Sequence, residues 1–180
     1  MNTFTKLLFR GAFATIFTLS LSVSAFAQEE EEETSPFSLS GSVDTYYRAN
    51  LNSTNDATNG GALAPGTSFA NLPGFSLGMV NLIGAYEGEK VGMVADLVFG
   101  PRGADAVFGS PAALNIVNQL YVYWNVGEKV TLTLGNFNTF LGYEVISPTA
   151  NFNYSTSYMF SYGPFSHTGL KADFDLGGGF

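Results

Sequence analysis

The stretch that decides the fold is Phe37 to Leu51, FSLSGSVDTYYRANL. Its odd positions run Phe37, Leu39, Gly41, Val43, Thr45, Tyr47, Ala49 and Leu51, while its even positions run Ser38, Ser40, Ser42, Asp44, Tyr46, Arg48 and Asn50. Successive side chains of a strand point to opposite faces, so the segment reads as one strand with an apolar face and a polar face. It is longer than the usual globular strand of about five or six residues, and longer than the roughly nine to eleven that a tilted membrane crossing needs. Either a second sheet or lipid must cover the apolar face.

Composition narrows that choice. The chain has 180 residues, of which 46% are hydrophobic, 15% aromatic and only 12% charged; soluble domains carry about 25% charged residues. It has no cysteine, which excludes disulfides, a thiol nucleophile and thiolate metal sites. After residue 27 no continuous apolar run reaches helical spanning length, so the membrane alternative rests on strands. The formal charge is −8; removing Lys6 and Arg10 with a leader leaves five bases against fifteen acids, or −10. Such a surface disfavours nucleic acid as a partner.

Residues 1–27 read as an export signal. Lys6 and Arg10 precede the apolar run Gly11 to Val23, and Ala25-Phe26-Ala27 is a small-x-small cleavage site. A core helix is the weaker alternative, because the run is short and five glutamates, Glu29 to Glu33, follow it closely. Residues 28–36 then form an acidic, solvated leader, and 37–180 the folded part.

The folded part alternates strands with connections of two lengths. Asn52 to Asn71 is a long polar loop; Glu87-Gly88-Glu89-Lys90 is a short turn between a strand from about Gly74 to Tyr86 and a strand whose outward set is Val91, Met93, Ala95, Leu97 and Phe99. Pro101 to Ala113 is long again, and its prolines and glycines block any strand. A fourth strand from Leu114 places Leu114, Ile116, Leu120, Val122, Trp124 and Val126 on one face, with Asn118 as the exception, and Gln119, Tyr121 and Tyr123 on the other. Gly127-Glu128-Lys129 turns into Val130, Leu132 and Leu134. Beyond them Asn136 and Asn138 fall on the apolar parity, which predicts a face-swapping bulge near Gly135. Asn81 breaks the second strand in the same way and leaves its register open. After the long Gly142 to Tyr162 segment, Thr168, Leu170, Ala172, Phe174 and Leu176 alternate with His167, Gly169, Lys171, Asp173 and Asp175. No helix is expected after residue 27.

Long and short connections therefore sort by end, as the surface loops and periplasmic turns of an outer-membrane barrel do; a secreted sandwich has no reason to sort them. Phe37 and Trp124 lie on apolar faces at the short-turn end, Phe75 and Phe99 at the long-loop end, where two interfacial aromatic girdles belong. The expected fold is all-β, an antiparallel transmembrane β-barrel.

Lipid outside makes the polar face a lumen. Its lining candidates are Asp44, Tyr46, Arg48, Asp96, Gln119, Tyr121, Tyr123, Lys171, Asp173 and Asp175, with Asp44 and Arg48 expected as an interior ion pair. Catalysis has little support, since His167 is the one histidine and reads as a structural, hydrogen-bonded residue. No phosphate-binding Gly loop opens a helix and no His cluster suggests a metal, so neither cofactor nor metal is expected.

The stretches SGSVDTYYRANLN (40–52), KVGMVADLVFGP (90–101), LTLGNFNTFLGYEVISPTANFNYSTSYMF (132–160) and YGPFSHTGLKADFDLG (162–177) resemble the beta-barrel porin family 2, the OmpL-like outer-membrane porins of Gram-negative bacteria. The likeness covers about Phe37 to Gly177, and Leu141-Gly142-Tyr143-Glu144-Val145-Ile146 with Asn153-Tyr154-Ser155 is its most specific part. The resemblance implies a cofactor-free pore for passive diffusion of small hydrophilic solutes or ions. The family pattern often has a base where Asn136 and Thr156 stand here. Family porins are about twice this length, and six crossings fall short of the eight strands of the smallest closed barrels. The sequence is therefore expected to be the N-terminal part of a longer porin; a complete chain would have to pair its edges between subunits as a homo-oligomer. A non-conducting structural or adhesive barrel, using the long loops at 52–71 and 142–162, is the alternative function.

Overall fold

The computed structural model describes residues 35–56, 64–107 and 114–178; the expected signal and most of the acidic leader lie outside them. Six strands, β1 (Phe37–Arg48), β2 (Gly74–Glu87), β3 (Val91–Phe99), β4 (Val117–Gly127), β5 (Val130–Asn138) and β6 (Ser166–Phe174), form one sheet. Their order in the sheet is their order in the chain and every neighbouring pair is antiparallel. Such a meander puts the connections β1–β2, β3–β4 and β5–β6 at one end and the short turns at the other. Among the described residues β1 and β6 each pair on one side only, an open sheet that fits part of a barrel.

One face of the sheet is apolar and exposed. Leu39, Val43, Met93, Val122, Leu134 and Leu170 share it, and so do the expected girdle residues, Phe37 and Trp124 below and Phe75, 90% exposed, and Phe99 above. Tyr47 and Phe75 meet across β1 and β2 with ring centroids 4.8 Å apart, and Phe37 meets Tyr86 at the same distance. A contiguous exposed apolar surface of this kind is rare on soluble monomers and matches the outward face of a barrel strand.

Three bulges keep the faces sorted. Opposite Asp44 and Thr45, Gly78 is an extra residue of β2, so Leu77 and Phe75 point outward below it in sequence while Asn81 points inward above it. That settles the register left open at Asn81. Asn118 is the extra residue of β4 opposite Asp96 and Leu97, and the bulge turns this apparent exception inward. Val126 is the extra residue before the 128–129 turn.

The bulge expected near Gly135 is absent: β5 pairs in continuous register with β6 from Val130 to Asn138. Phe137 is consequently inward and buried, and Asn136 keeps the outward parity opposite Leu120 and Thr168. Its amide is satisfied within the sheet, donating to the Asn118 carbonyl at 2.6 Å and accepting from the Thr168 hydroxyl at 2.9 Å. Gly135 itself sits at φ +138°, and a Cβ there would lie 2.2 Å from the Leu120 carbonyl oxygen. Close strand approach, rather than a bulge, is what this glycine permits.

Boundaries differ at three ends. β1 stops at Arg48, short of Leu51, and β4 begins at Val117 instead of Leu114. β6 stops at Phe174, so Asp175 belongs to the following turn, where its amide donates to the Lys129 carbonyl and its carboxylate accepts from Gly177. Helical turns also occur where none was expected: α1 (Pro101–Ala106), a 3-10 turn (Pro148–Ala150) and α2 (Tyr158–Ser161). Pro101 supplies the fixed φ of a first helical position, and Ser157 caps α2 by accepting from Phe160 N–H. No helix among the described residues is long and apolar enough to cross a membrane.

Candidate functional site: the inner face and its folded-in loops

The inner face of the sheet is covered at its long-loop end by the three long connections. Phe69 from the first, Ala106 and Val107 from the second, and Ile146 and Phe160 from the third pack on Met79 and Val98 of the sheet, with Phe165 against them. Phe160 stacks on Phe165 at 4.7 Å, and Gly103 lets α1 lie against Val98. Burying these aromatics is what offsets the entropy of ordering long loops.

Arg102 sits inside that core with no exposed surface. Its Nε donates to the Ile146 carbonyl at 2.6 Å and one terminal nitrogen donates to the Tyr154 carbonyl at 3.0 Å. The guanidinium lies between the Phe69 and Tyr154 rings, at 4.9 and 4.8 Å from their centroids. Burial pushes its pKa below the usual arginine value, and Tyr154 and Asp44 oppose that shift. Tyr154 in turn donates its hydroxyl to Asp44 Oδ2 at 2.8 Å, and its phenol is pushed up to about 12, first by burial and then by that hydrogen bond. The Asp44 carboxylate fits because Gly78, the bulge residue, leaves room for it.

The expected Asp44–Arg48 pair gives way to these contacts. Asp44 takes Tyr154, and Arg48 donates to the Ala70 carbonyl at 3.1 Å. Tyr46, between them, accepts from the Leu72 amide at 3.0 Å. All three strand residues thus hold loops. Two side-chain clips shape the third loop: Glu144 accepts from the Ser157 amide and hydroxyl, and Asn151 brackets Val145 through its amide and carbonyl. Thr156, where the family pattern often has a base, is buried and pairs with the Ser161 hydroxyl.

Midway along the sheet Asp96, 4% exposed, accepts from three side-chain amides. Asn81 donates to Oδ1, and Asn118 and Gln119 donate to Oδ2 at 2.8 and 3.0 Å. This ties β2, β3 and β4 together on the inner face. Gln119 also accepts from the Asn138 amide at 3.0 Å, which joins β4 to β5.

Toward the short turns the face opens. Tyr123 lies over Gly92, whose missing side chain makes the space for it. Gln119, Tyr121, Tyr123, Thr133 and Lys171 line a pocket of about 320 Å³. Lys171 pairs with Asp173 at 2.9 Å and stands 5.2 Å from the Phe137 ring centre. His167 contacts the Thr139 hydroxyl at 3.0 Å and stacks on Phe140. No cluster of three His, Cys, Asp or Glu among the described residues could hold a metal.

Of the ten lining candidates, the structure groups Asp44, Tyr46 and Arg48 beneath the loops, Asp96 with Gln119 at mid-height, and Tyr121, Tyr123, Lys171 and Asp173 below; Asp175 follows the end of β6, in the turn. Sequence reasoning missed Arg102 and Tyr154, loop residues with no periodic signal. It flagged Asn81 and Asn118 only as irregularities, and a polar residue on the wrong parity was the available clue.

An antiparallel meander with lipid-compatible side chains on one face and hydrogen-bonded polar side chains on the other defines a porin-like outer-membrane β-barrel protein. The family described as "Putative beta-barrel porin-2, OmpL-like" matches residues 36–178. The chain belongs to that family. No curated protein and no solved structure matches it.

Proposed function

We propose that this protein is a general diffusion porin, passing small hydrophilic solutes or ions across the outer membrane through a water-filled lumen lined by the inner face. The observation that carries the reading is the separation of faces: outward side chains suit lipid, and toward the short turns the inward ones offer the Asp173 carboxylate, the Gln119 amide, tyrosine hydroxyls and Lys171 to water. In this reading the three loops packed over Met79 and Val98 narrow the entrance and set a size limit. Export by the residue 1–27 signal, embedding in outer-membrane lipid, and the absence of any nucleic-acid partner or catalytic step belong to the same proposal.

Exposed aromatics on the third loop, Phe152, Tyr158 and Tyr162, favour the second reading, an adhesive or structural barrel that uses this loop as an interface. Single-channel recording of the full chain in a planar lipid bilayer separates the two. The pore reading expects discrete, reproducible conductance steps; a folded, inserted and electrically silent protein would overturn it.

A further inference from the structure

We infer that the lumen holds a subsite for small monovalent cations, built around Asp96; this rests on the pore reading. A pocket of about 280 Å³ lies between the inner face of β1–β4 and the 145–150 turn of the third loop. Asp96 forms part of its wall, and no basic side chain lines it. The bases of the described residues lie elsewhere: Arg102 in the loop core, Arg48 at Ala70, Lys171 at Asp173, and Lys90 and Lys129 in the two short turns. One carboxylate charge therefore stands in the pocket without a cationic side chain beside it.

The neighbours of Asp96 add acceptors. Asn81 and Asn118 spend their NH2 groups on the carboxylate, so each has its carbonyl oxygen left for another partner, and both residues line the pocket. Hydroxyls come from both walls, Ser40 and Ser42 on β1 and Ser147 and Thr149 on the loop. Amide donors turned toward a carboxylate, with hydroxyl and carbonyl oxygens around the space, suit a hard cation that trades part of its hydration shell for these oxygens. An anion would meet a negative charge with its best donors already committed. A single carboxylate in a cavity of this size favours a monovalent ion over a divalent one, which demands more charged ligands.

The test is the reversal potential of the full chain in a planar bilayer under a tenfold KCl gradient. The wild type is expected to favour K⁺ over Cl⁻. Asp96→Asn, which keeps shape and removes charge, should reduce the permeability ratio by about 16-fold, since one charge about 5 Å from a permeating ion in a water-like dielectric acts by about fourfold on K⁺ and by about fourfold in the opposite sense on Cl⁻. Ser147→Lys, which leaves the Asp96 hydrogen bonds intact and adds a positive charge on the loop wall, should reduce it in the same direction and covers the case in which Asp96→Asn does not fold. A merely structural Asp96 would leave the ratio of a folded Asp96→Asn unchanged, and a permeation path that bypasses the pocket would leave that of Ser147→Lys unchanged. Conductance with equal K⁺ and Cl⁻ permeability, or a preference that the folded variants leave unaltered, overturns the cation site while leaving the pore; absence of any conductance overturns the pore and the subsite together.

Discussion

Replacing Arg102 with alanine should release the third loop from the inner face while leaving the sheet intact. The side chain has no exposed surface, holds the Ile146 and Tyr154 carbonyls, and lies between two rings. Truncation leaves a buried and a partly buried carbonyl without their donor, at roughly 1–3 kcal/mol each. It also removes two cation–π contacts of roughly 0.5–2 kcal/mol each. Relief of the desolvation of a buried charge offsets part of this, and the net loss is set at about 3 kcal/mol. At 1.4 kcal/mol per tenfold, that is an increase of about 100-fold in the population of the opened loop. Amide hydrogen exchange reads it directly at Thr156, whose N–H donates to the Thr67 carbonyl across two loops. Protection at Thr156 should fall about 100-fold in Arg102→Ala, with β4 and β5 amides unchanged. Arg102→Lys should recover only part, since an ammonium cannot reproduce the planar fork. Unchanged protection at Thr156, or an equal loss throughout β4 and β5, would refute the latch.

The remaining predictions concern the faces and the loop network. Val122→Arg places a charge on the outward face and should lower the stability of the folded protein in bilayers by roughly 2–4 kcal/mol, read from the midpoint of urea unfolding, whereas Tyr121→Arg one residue earlier should insert normally and alter conductance instead. Equal destabilisation by both would mean that the faces are misassigned. Tyr154 is raised to about 12 in the fold against an ordinary 10, so its contribution is complete below pH 10 and is lost as pH rises through about 12. Ultraviolet titration of the nine tyrosines should accordingly show amplitude near pH 12 that Tyr154→Phe removes; a variant that instead loses its amplitude near pH 10 would contradict the burial of Tyr154 and its contact with Asp44.

Much of the fold was legible because a strand writes its two faces into the sequence at a period of two. Phe37 to Arg48, Val91 to Phe99 and Leu120 to Trp124 alternate cleanly, and each lies in the structure with the expected side outward. The placement of the four girdle aromatics and the sorting of long and short connections also follow from counting residues. Asp96 and Gln119 could be placed inward in the same way, without any knowledge of what they touch.

Wherever an extra residue interrupts the period, the sequence by itself loses the face, because one added residue inverts every position beyond it. A misplaced polar residue does not say whether the strand bulges or the side chain finds a partner. Asn118 and Asn81 are answered by bulges that turn them to Asp96, and Asn136 is answered by bonds to Asn118 and Thr168 with no bulge at all. The loops lie further beyond reach. Arg102, Tyr154 and Asp44 come from three segments, with Tyr154 and Asp44 110 positions apart, and no local preference brings them together. From Phe37 to Arg48 alternation determined a strand with one apolar side; only tertiary packing decided that Asp44 on its other side would hold a loop in place rather than pair with Arg48, because a buried carboxylate takes whichever donor the folded chain delivers to it.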